Sequence, residues 1–581
     1  MVSDVDLLHR LARSSTEPGT DRTLDRLVER IVAEVRGFAE AKAAEIRRLA
    51  DIGIALSAER DLERLLEKIV DEARRFTNAD GGTLYTVQTN AGTGTPELKF
   101  GIMQNDTMKT RQGGTSGKAI TLPPVPLVKE GRPNHANVSA YVADSGETVN
   151  IADVYTAEGF DFTGTRKYDE MTGYRTKSML VAPMRNHENE IIGVLQLINA
   201  KEPQSQRVIA FSPEFEDLIK SLASQAGVAI TNAKLINDLQ ELFESLIRLV
   251  ASAVDEKSPY TGGHITRVAG LSIKIAEAVS SATEGPYTNV HLTPDEMNEL
   301  RIAAWLHDIG KITTPEYVVD KATKLETIYD RIGLVKARFQ LIRSRMEIEA
   351  VERKLVLTRQ NAEPAALAEV DTELAAELAQ LDADLAFLVQ TNTGGEFLKD
   401  DAVARLKAIA AKTFTVDGKQ EPYLTENELN NLSIRKGTLT NDERQIINNH
   451  VSTTIKMLSQ IPFPKKLAHV VEYAGSHHEK LNGTGYSHGL KADRLSIQSR
   501  ILALADICEA LTARDRPYKP PIPLERAFQI LGFMVKDQEI DGDLLTLFRD
   551  ADVYSHFMEE YEAAHKPVSQ QEPAAAAAKK A

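Results

Sequence analysis

The segment AAWLHDIGKI, residues 303–312, sets an adjacent His307–Asp308 pair into an otherwise apolar helical run. Burying an unpaired carboxylate is costly, so the pair needs a compensating partner. A core salt bridge would satisfy one such pair standing alone. It does not account for residues of the same chemistry elsewhere in the C-terminal half: His264 in HITRV, His450 in NNHV, His477 and His478 in SHHEK, and Asp506 in ALADICEAL. Each lies on an apolar or helical stretch, and imidazole with carboxylate is a normal ligand mixture for iron, manganese or zinc.

Around this cluster the pattern is helical, with no alternating strand signal from about residue 255 onward. Residues 325–437 stand apart. They are rich in Ala, Leu, Glu and Arg, contain no histidine, and suit an antiparallel helical hairpin inserted into the domain. Upstream, residues 217–254 carry one narrow apolar stripe, Leu222, Ala226, Ile230, Ala233, Ile236, Leu239, Leu242, Leu246 and Leu249. Its length and place between two modules suit a parallel dimer helix; packing on its own domain is the alternative.

Further upstream, residues 22–75 read as helix, and from about 80 short β-rich runs take over: GGTLYTV, ELKFGIM, TVNIADV, SMLVAPMR and EIIGVLQLINA. The whole is a multidomain α+β chain: a helical segment over 1–44, a mixed sheet with helices over 45–235, the connecting helix, an all-α domain over 255–545, and a C-terminal helix with a low-complexity tail over 546–581.

A chain of 581 residues is long enough for about three to four cores. Its formal net charge of -15 opposes a role as a nucleic-acid scaffold, because phosphate backbones select basic surfaces. A small phosphate ligand stays open, since bound metal can dominate a local field. Cys508 is the single cysteine, which excludes an intrachain disulfide and a thiolate zinc cluster. No apolar run is long enough for a signal peptide or a membrane span, so a soluble, cytoplasmic protein with no membrane association is expected.

The ordered series HITRV, LHDIGK, NNHV, SHHEKLNGTGYSHGL and LALADICEALTARDRPYK resembles the HD-GYP subgroup of HD-domain metal-dependent phosphohydrolases over roughly 255–325 and 438–545. The resemblance implies a cyclic di-GMP phosphodiesterase yielding pGpG or GMP, with two divalent ions, iron or manganese. It implies His264, His307, Asp308 and Asp506 as ligands of one ion, and Asp308, His450, His477 and His478 as ligands of the other. Asp308 would then bridge, with Lys311 beside the substrate phosphate on the same helical face. Gly483, Gly485, Tyr486, Arg516 and Lys519 are implied on the substrate side. Two ions about 3.5–4 Å apart would activate water and hold a phosphodiester in line. Three departures stand out: Ser487 replaces the proline of the GYP tripeptide, the insert replaces a short connection, and Tyr260 stands where some members place a glutamate for a third ion.

Residues 45–235 resemble a GAF domain, and YDEMTGYRTKSMLVAPMRNHENEIIGVLQLINA is similar to the GAF domains of cyclic-nucleotide phosphodiesterases. Asn199, Phe211 and Glu216 align with the cyclic-nucleotide signature, whereas Ala200 and Phe215 depart from it. A cyclic nucleotide, another small molecule, and a GAF domain that only dimerises all stay open. The resemblance further implies a homodimer and leaves room for a diguanylate cyclase-type partner. Two other functions share the ligand set: phosphohydrolysis of another cyclic dinucleotide or nucleotide, and non-catalytic cyclic di-GMP reception.

Overall fold

The computed structural model describes residues 22–257, 263–395, 397–513 and 522–564, in two compact units, Met1–Leu242 and Phe243–Ala581. Tyr260, Arg516, Lys519 and the tail after residue 564 lie outside the described residues.

In the first unit, α1 (Arg22–Ala58) and α2 (Leu62–Thr77) replace the single helical stretch expected over 22–75. Asp61 causes the break: its carboxylate accepts from the Arg64 N–H at 2.9 Å and starts α2 afresh. An eight-stranded sheet follows, whose main path is β1 (Ala79–Thr89), β2 (Pro96–Asn105), β3 (Thr110–Gly113), β4 (Val149–Ile151), β5 (Met179–Arg185) and β6 (Ile191–Lys201), in spatial order β3-β2-β1-β6-β5-β4. Every pairing among them is antiparallel, so the sheet is not mixed as its sequence suggested. The strand alternation covers both faces. Leu84, Leu180 and Leu195 pack with helix residues Leu65, Ile69 and Leu222, while Tyr85, Val181 and Val194 pack with Val138 and Val142. On the second face lies a cavity of about 550 Å³ lined by Tyr85, Phe100, Met103, Asn137, Thr176 and Gln196.

Two short helices, α3 (Val138–Ser145) and α4 (Thr163–Thr172), lie between strands, and one long helix, α5 (Pro213–Asp255), follows the sheet. The sequence stripe divides along it. Leu222, Ala226, Ile230 and Ala233 are buried in the first unit's core, whereas Ile236, Leu239, Leu242, Leu246 and Leu249 are 45–65% exposed.

The second unit takes in the end of α5, from Phe243, and continues with α6 (His264–Ser280) and α7 (Pro294–Leu306). The insert then contributes α8 (Ile332–Arg359), α9 (Pro364–Asn392), α10 (Asp400–Ala410), a hairpin of β7 (Thr413–Val416) and β8 (Lys419–Pro422), and α11 (Glu426–Leu432). That hairpin was not expected in an all-helical half; Asp417 and Gly418, both at positive φ, form its two-residue turn. Ion pairs Arg353–Glu373 (2.9 Å) and Lys354–Asp371 (2.6 Å) run in opposite senses along α8 and α9, which makes the pair antiparallel. The insert has its own core, built on Phe339, Ile342, Leu381, Leu388, Leu406 and Tyr423. After it come α12 (Asn441–Leu458), α13 (Val470–Gly475) and α14 (Ile497–Thr512), then α15 (Leu524–Lys536), α16 (Gly542–Asp550) and α17 (Val553–Ala564).

Lys324, 2% exposed, anchors the insert by donating from Nζ to the Leu432 carbonyl at 3.1 Å. Burial pushes its ammonium down to about 8. The unfolded chain therefore binds more protons than the folded one between about pH 8 and pH 10.5, and folding gains stability as pH rises through that window. Lys324→Met is expected to raise stability at pH 7 by roughly 1–2 kcal/mol once the lost bond to the Leu432 carbonyl is counted. The advantage over the parent should shrink between pH 8 and pH 10.5 in chemical denaturation; a constant difference would show that the ammonium is not strained.

Candidate metal centre

The cluster is assembled at the ends of helices. Thr293 and Glu296 form a capping box that starts α7, which ends at Leu306, so His307 and Asp308 fall on the turn leading into a 3₁₀ segment, Ile309–Thr313. Lys311 therefore sits on that tighter turn and not on a continuing α-helix face. The α12 helix, begun by a Thr440–Glu443 capping box, passes close to this turn. Thr454 Oγ1 donates to the His307 carbonyl at 3.0 Å and accepts from Gly310 N–H at 3.0 Å. A side chain at Gly310 would lie 2.0 Å from the His450 carbonyl oxygen, so glycine is what lets α12 bring His450 to the pair. His264 begins α6, His477 and His478 follow α13, and Asp506 projects from α14.

Three histidines share one orientation device. The Nδ1 atoms of His307, His450 and His477 lie 2.7, 2.5 and 2.6 Å from the carbonyls of Ala304, Ile447 and Ala474. A carbonyl only accepts, so Nδ1 carries the proton and Nε2 keeps its lone pair for the cluster. His264 Nδ1 is held by Glu509, whose other oxygen accepts from Arg267 Nε at 2.8 Å. The sequence reading missed Glu509 and Arg267. The signal was present as spacing, since each lies three residues after a ligand-type residue on the same helix, Asp506 and His264.

Asp308 stands at the middle. Its Oδ2 lies 3.5 Å from His264 Nε2 and 3.4 Å from His307 Nε2, while its Oδ1 lies 3.3 Å from His450 Nε2. Asp506 Oδ1 lies 3.4 Å from His264 Nε2, and its Oδ2 lies 3.9 Å from His478 Nδ1. Among the described residues three overlapping groups result, His264–His307–Asp506, His450–His477–His478 and His307–Asp308–His477, each with ligand atoms within 4.8 Å of one another. His264 Nε2, His307 Nε2 and Asp308 Oδ1 are buried with no hydrogen-bond partner. Orphaned lone pairs of this kind, converging from nitrogen and carboxylate oxygen, fit a divalent cation.

The electrostatics of Asp308, Asp506, His477 and His478 fit a cation. Burial alone would raise the Asp308 carboxyl, yet Lys311 and His307 hold it well below the carboxylate range. Asp506 is lowered too, with burial outweighed by His264 and His478. Burial pushes His477 well down and His478 down to about 4, so both stay neutral, as ligands must be. His264 goes the other way: burial opposes the charged form, but Asp308, Asp506 and Glu509 raise it well above its usual value.

The remaining substrate-side residues are placed as follows. Lys311 Nζ lies 2.5 Å from Asp308 Oδ2, and the Tyr486 ring sits 4.9 Å from the His478 ring. Gly485 abuts the chain's own backbone: a side chain there would meet Glu479 Cα and Lys480 N, both at 2.5 Å. Its glycine is thus explained by local packing before any ligand is considered. Gly483 adopts φ +79°. Glu479, also unforeseen, organises this loop by accepting from the N–H groups of His488 (2.6 Å), Gly489 (3.2 Å) and Leu490 (2.9 Å).

Sequence models of known families match three stretches: a GAF domain over 61–230, and HD domains over 261–383 and 426–544. The chain is 38% identical over 97 residues to a 3'3'-cGAMP-specific phosphodiesterase of Vibrio cholerae, covering 17% of this chain and 20% of that one. It is 40% identical over 96 residues to a cyclic di-GMP phosphodiesterase of Thermotoga maritima, covering 16% and 26%. A dual cyclic-AMP and cyclic-GMP phosphodiesterase of Takifugu rubripes is 34% identical over 124 residues, covering 21% and 13%. The matched stretches thus span about a quarter or less of these relatives' own lengths. Among the described residues, no helix is long and apolar enough to cross a membrane. Sheet, helical half and matched stretches agree: the chain is a GAF domain followed by an HD domain.

Proposed function

We propose that the chain is a metal-dependent phosphodiesterase of the HD-GYP type that hydrolyses cyclic di-GMP to pGpG or GMP. The observation that carries this is Asp308, whose two oxygens face different histidine groups at 3.3–3.5 Å while buried imidazole nitrogens around it lack partners. His264, His307, Asp308 and Asp506 would hold one divalent ion, iron or manganese, and Asp308, His450, His477 and His478 a second. Such ions supply Lewis-acid charge to a phosphodiester and lower the pKa of water. The chain's own contribution is positioning and charge. Lys311 offers its ammonium to the phosphoryl oxygens, and the Tyr486 ring offers a flat face for a guanine. The 3'3'-cGAMP-specific relative supports a second reading, in which the substrate is another cyclic dinucleotide.

The α5 residues left bare, Leu239, Leu242, Leu246 and Leu249, follow a three-to-four spacing that supports a parallel homodimer through this helix. The cavity bordered by Gln196 and Asn137 supports a small-molecule ligand for the GAF domain, which would regulate turnover.

Lys311→Ala tests the division of labour. Turnover of cyclic di-GMP is expected to fall 10²–10³-fold, the scale of losing one charge-stabilising donor, with metal content retained. Loss of metal matching that of a ligand variant would make Lys311 part of the ion-binding shell. Parallel assays with 3'3'-cGAMP and cyclic GMP separate the two readings, because the preferred cyclic dinucleotide names the substrate and preference for the mononucleotide contradicts both.

A further inference from the structure

The insert helix α8 is apolar on two opposed faces, where a helix in a two-layer hairpin needs one. Val335, Phe339 and Ile342 are buried in the insert's core. On the far side stand Leu334, Leu341, Ile348 and Leu355, each seven residues after the last and 48, 49, 48 and 50% exposed. A single exposed leucine calls for no explanation. A strict seven-residue repeat does, because an α-helix drifts only about 20° per heptad, and the natural cover for such a seam is another helix wound against it. The seam also contains Ala337, Ser344, Val351 and Thr358, all exposed. From Leu334 to Thr358 it runs about 36 Å.

We propose that this face docks antiparallel onto the same face of a second copy of the chain, about a twofold axis that crosses the seam at the level of residue 346. In that register Leu334 meets Thr358 of the second copy, Leu341 meets Val351, Ile348 meets Ser344, and Leu355 meets Ala337. Every layer sets a large side chain against a smaller one, as close packing requires. A parallel pairing would stack leucine on leucine in alternate layers and leave Ala337 on Ala337 and Ser344 on Ser344. Charge makes the same choice. In parallel, Glu347 would face Glu352 and Lys354 would face Arg359, twice over. In antiparallel, Arg338 stands on the side of Glu352 of the second copy, with Nε–H and one further N–H beyond its two bonds to Glu428 (2.7 and 3.2 Å) and one to the Tyr423 carbonyl (3.0 Å). Arg345 and Glu347 each meet their own copy near the axis, and Arg345 is already paired with its own Glu349 at 3.0 Å; two like-charge contacts thus stand against four in the parallel arrangement. The contact is isologous, so taken by itself it closes at two copies.

Cysteine cross-linking in the full chain reads this register; Cys508 is buried and stays in place. Oxidation of the Ser344→Cys/Ile348→Cys variant is expected to convert most chains to covalent dimers. Leu334→Cys alone should give few, since its two copies would lie about 36 Å apart. Adding Leu341→Glu and Leu355→Glu to the double-cysteine variant should abolish the dimer while the far-ultraviolet circular dichroism stays that of the parent. Absence of a dimer from the double-cysteine variant, equal cross-linking through Leu334→Cys, or an adduct with a different protein would each overturn the proposal. None of these readouts depends on metal or on phosphodiesterase activity.

Discussion

Asp308→Ala is expected to abolish hydrolysis and to strip most bound metal while the helices persist. Removing this carboxylate takes away the oxygen between His264 and His307 together with the oxygen facing His450. Neither histidine group keeps a full donor set, and at least 10³-fold in turnover should be lost. The fold has little reason to fail. The imidazoles keep their carbonyl partners at Ala304, Ile447 and Ala474, and Thr454 still bonds the backbone on either side. Some stability should be lost all the same, because His264 and Lys311 both pair with this carboxylate and would lose their counter-charge. Metal analysis with thermal unfolding checks both halves. Full occupancy and normal turnover in the variant would leave the two histidine groups unconnected.

Gly310→Ala is expected to be nearly as damaging to activity by a different route. The added methyl would lie 2.0 Å from the His450 carbonyl oxygen and 2.7 Å from Thr454 N, both backbone atoms of α12. Backbone inside a helix cannot step aside alone, so α12 must withdraw from the turn, taking His450 from Asp308. Overpacking of this kind costs about 1–3 kcal/mol and occasionally more. Metal content should fall with it, by about the share of the group holding His450. Gly333→Ala is the control, since a side chain there meets nothing within 4 Å on helix α8, and alanine should be neutral or stabilising. A Gly310→Ala chain with parental metal content would show that close approach of α12 is not needed.

Residue chemistry made the candidate centre legible. Histidine and aspartate on apolar stretches have few cheap explanations, and the separated ligand-type residues do converge on Asp308. The supporting residues were harder to read. Glu509 and Glu479 are carboxylates on segments where a charge usually faces water, and only the fold shows them 4–5% exposed, holding His264 and a run of backbone N–H groups. The α5 stripe looked uniform because periodicity reports which residues share a face, not what covers that face; its first half is core and its second half is bare. The β7–β8 hairpin was missed although Asp417-Gly418 is a strong turn signal, because short strands inside a helix-rich insert have too few residues to establish alternation. Strand direction in the sheet is likewise set by connections across the domain, which local pattern does not encode.

The cluster around Asp308 is proposed to hold two divalent ions and to use them on a cyclic dinucleotide. The most direct test is metal analysis of the anaerobically purified full chain, combined with separation of the products formed from cyclic di-GMP by that same preparation. About two equivalents of iron or manganese per chain are expected, with conversion to pGpG or GMP that a chelator removes and added metal restores. Metal-free protein with undiminished turnover, or fully loaded protein that leaves cyclic di-GMP and 3'3'-cGAMP intact, would contradict it.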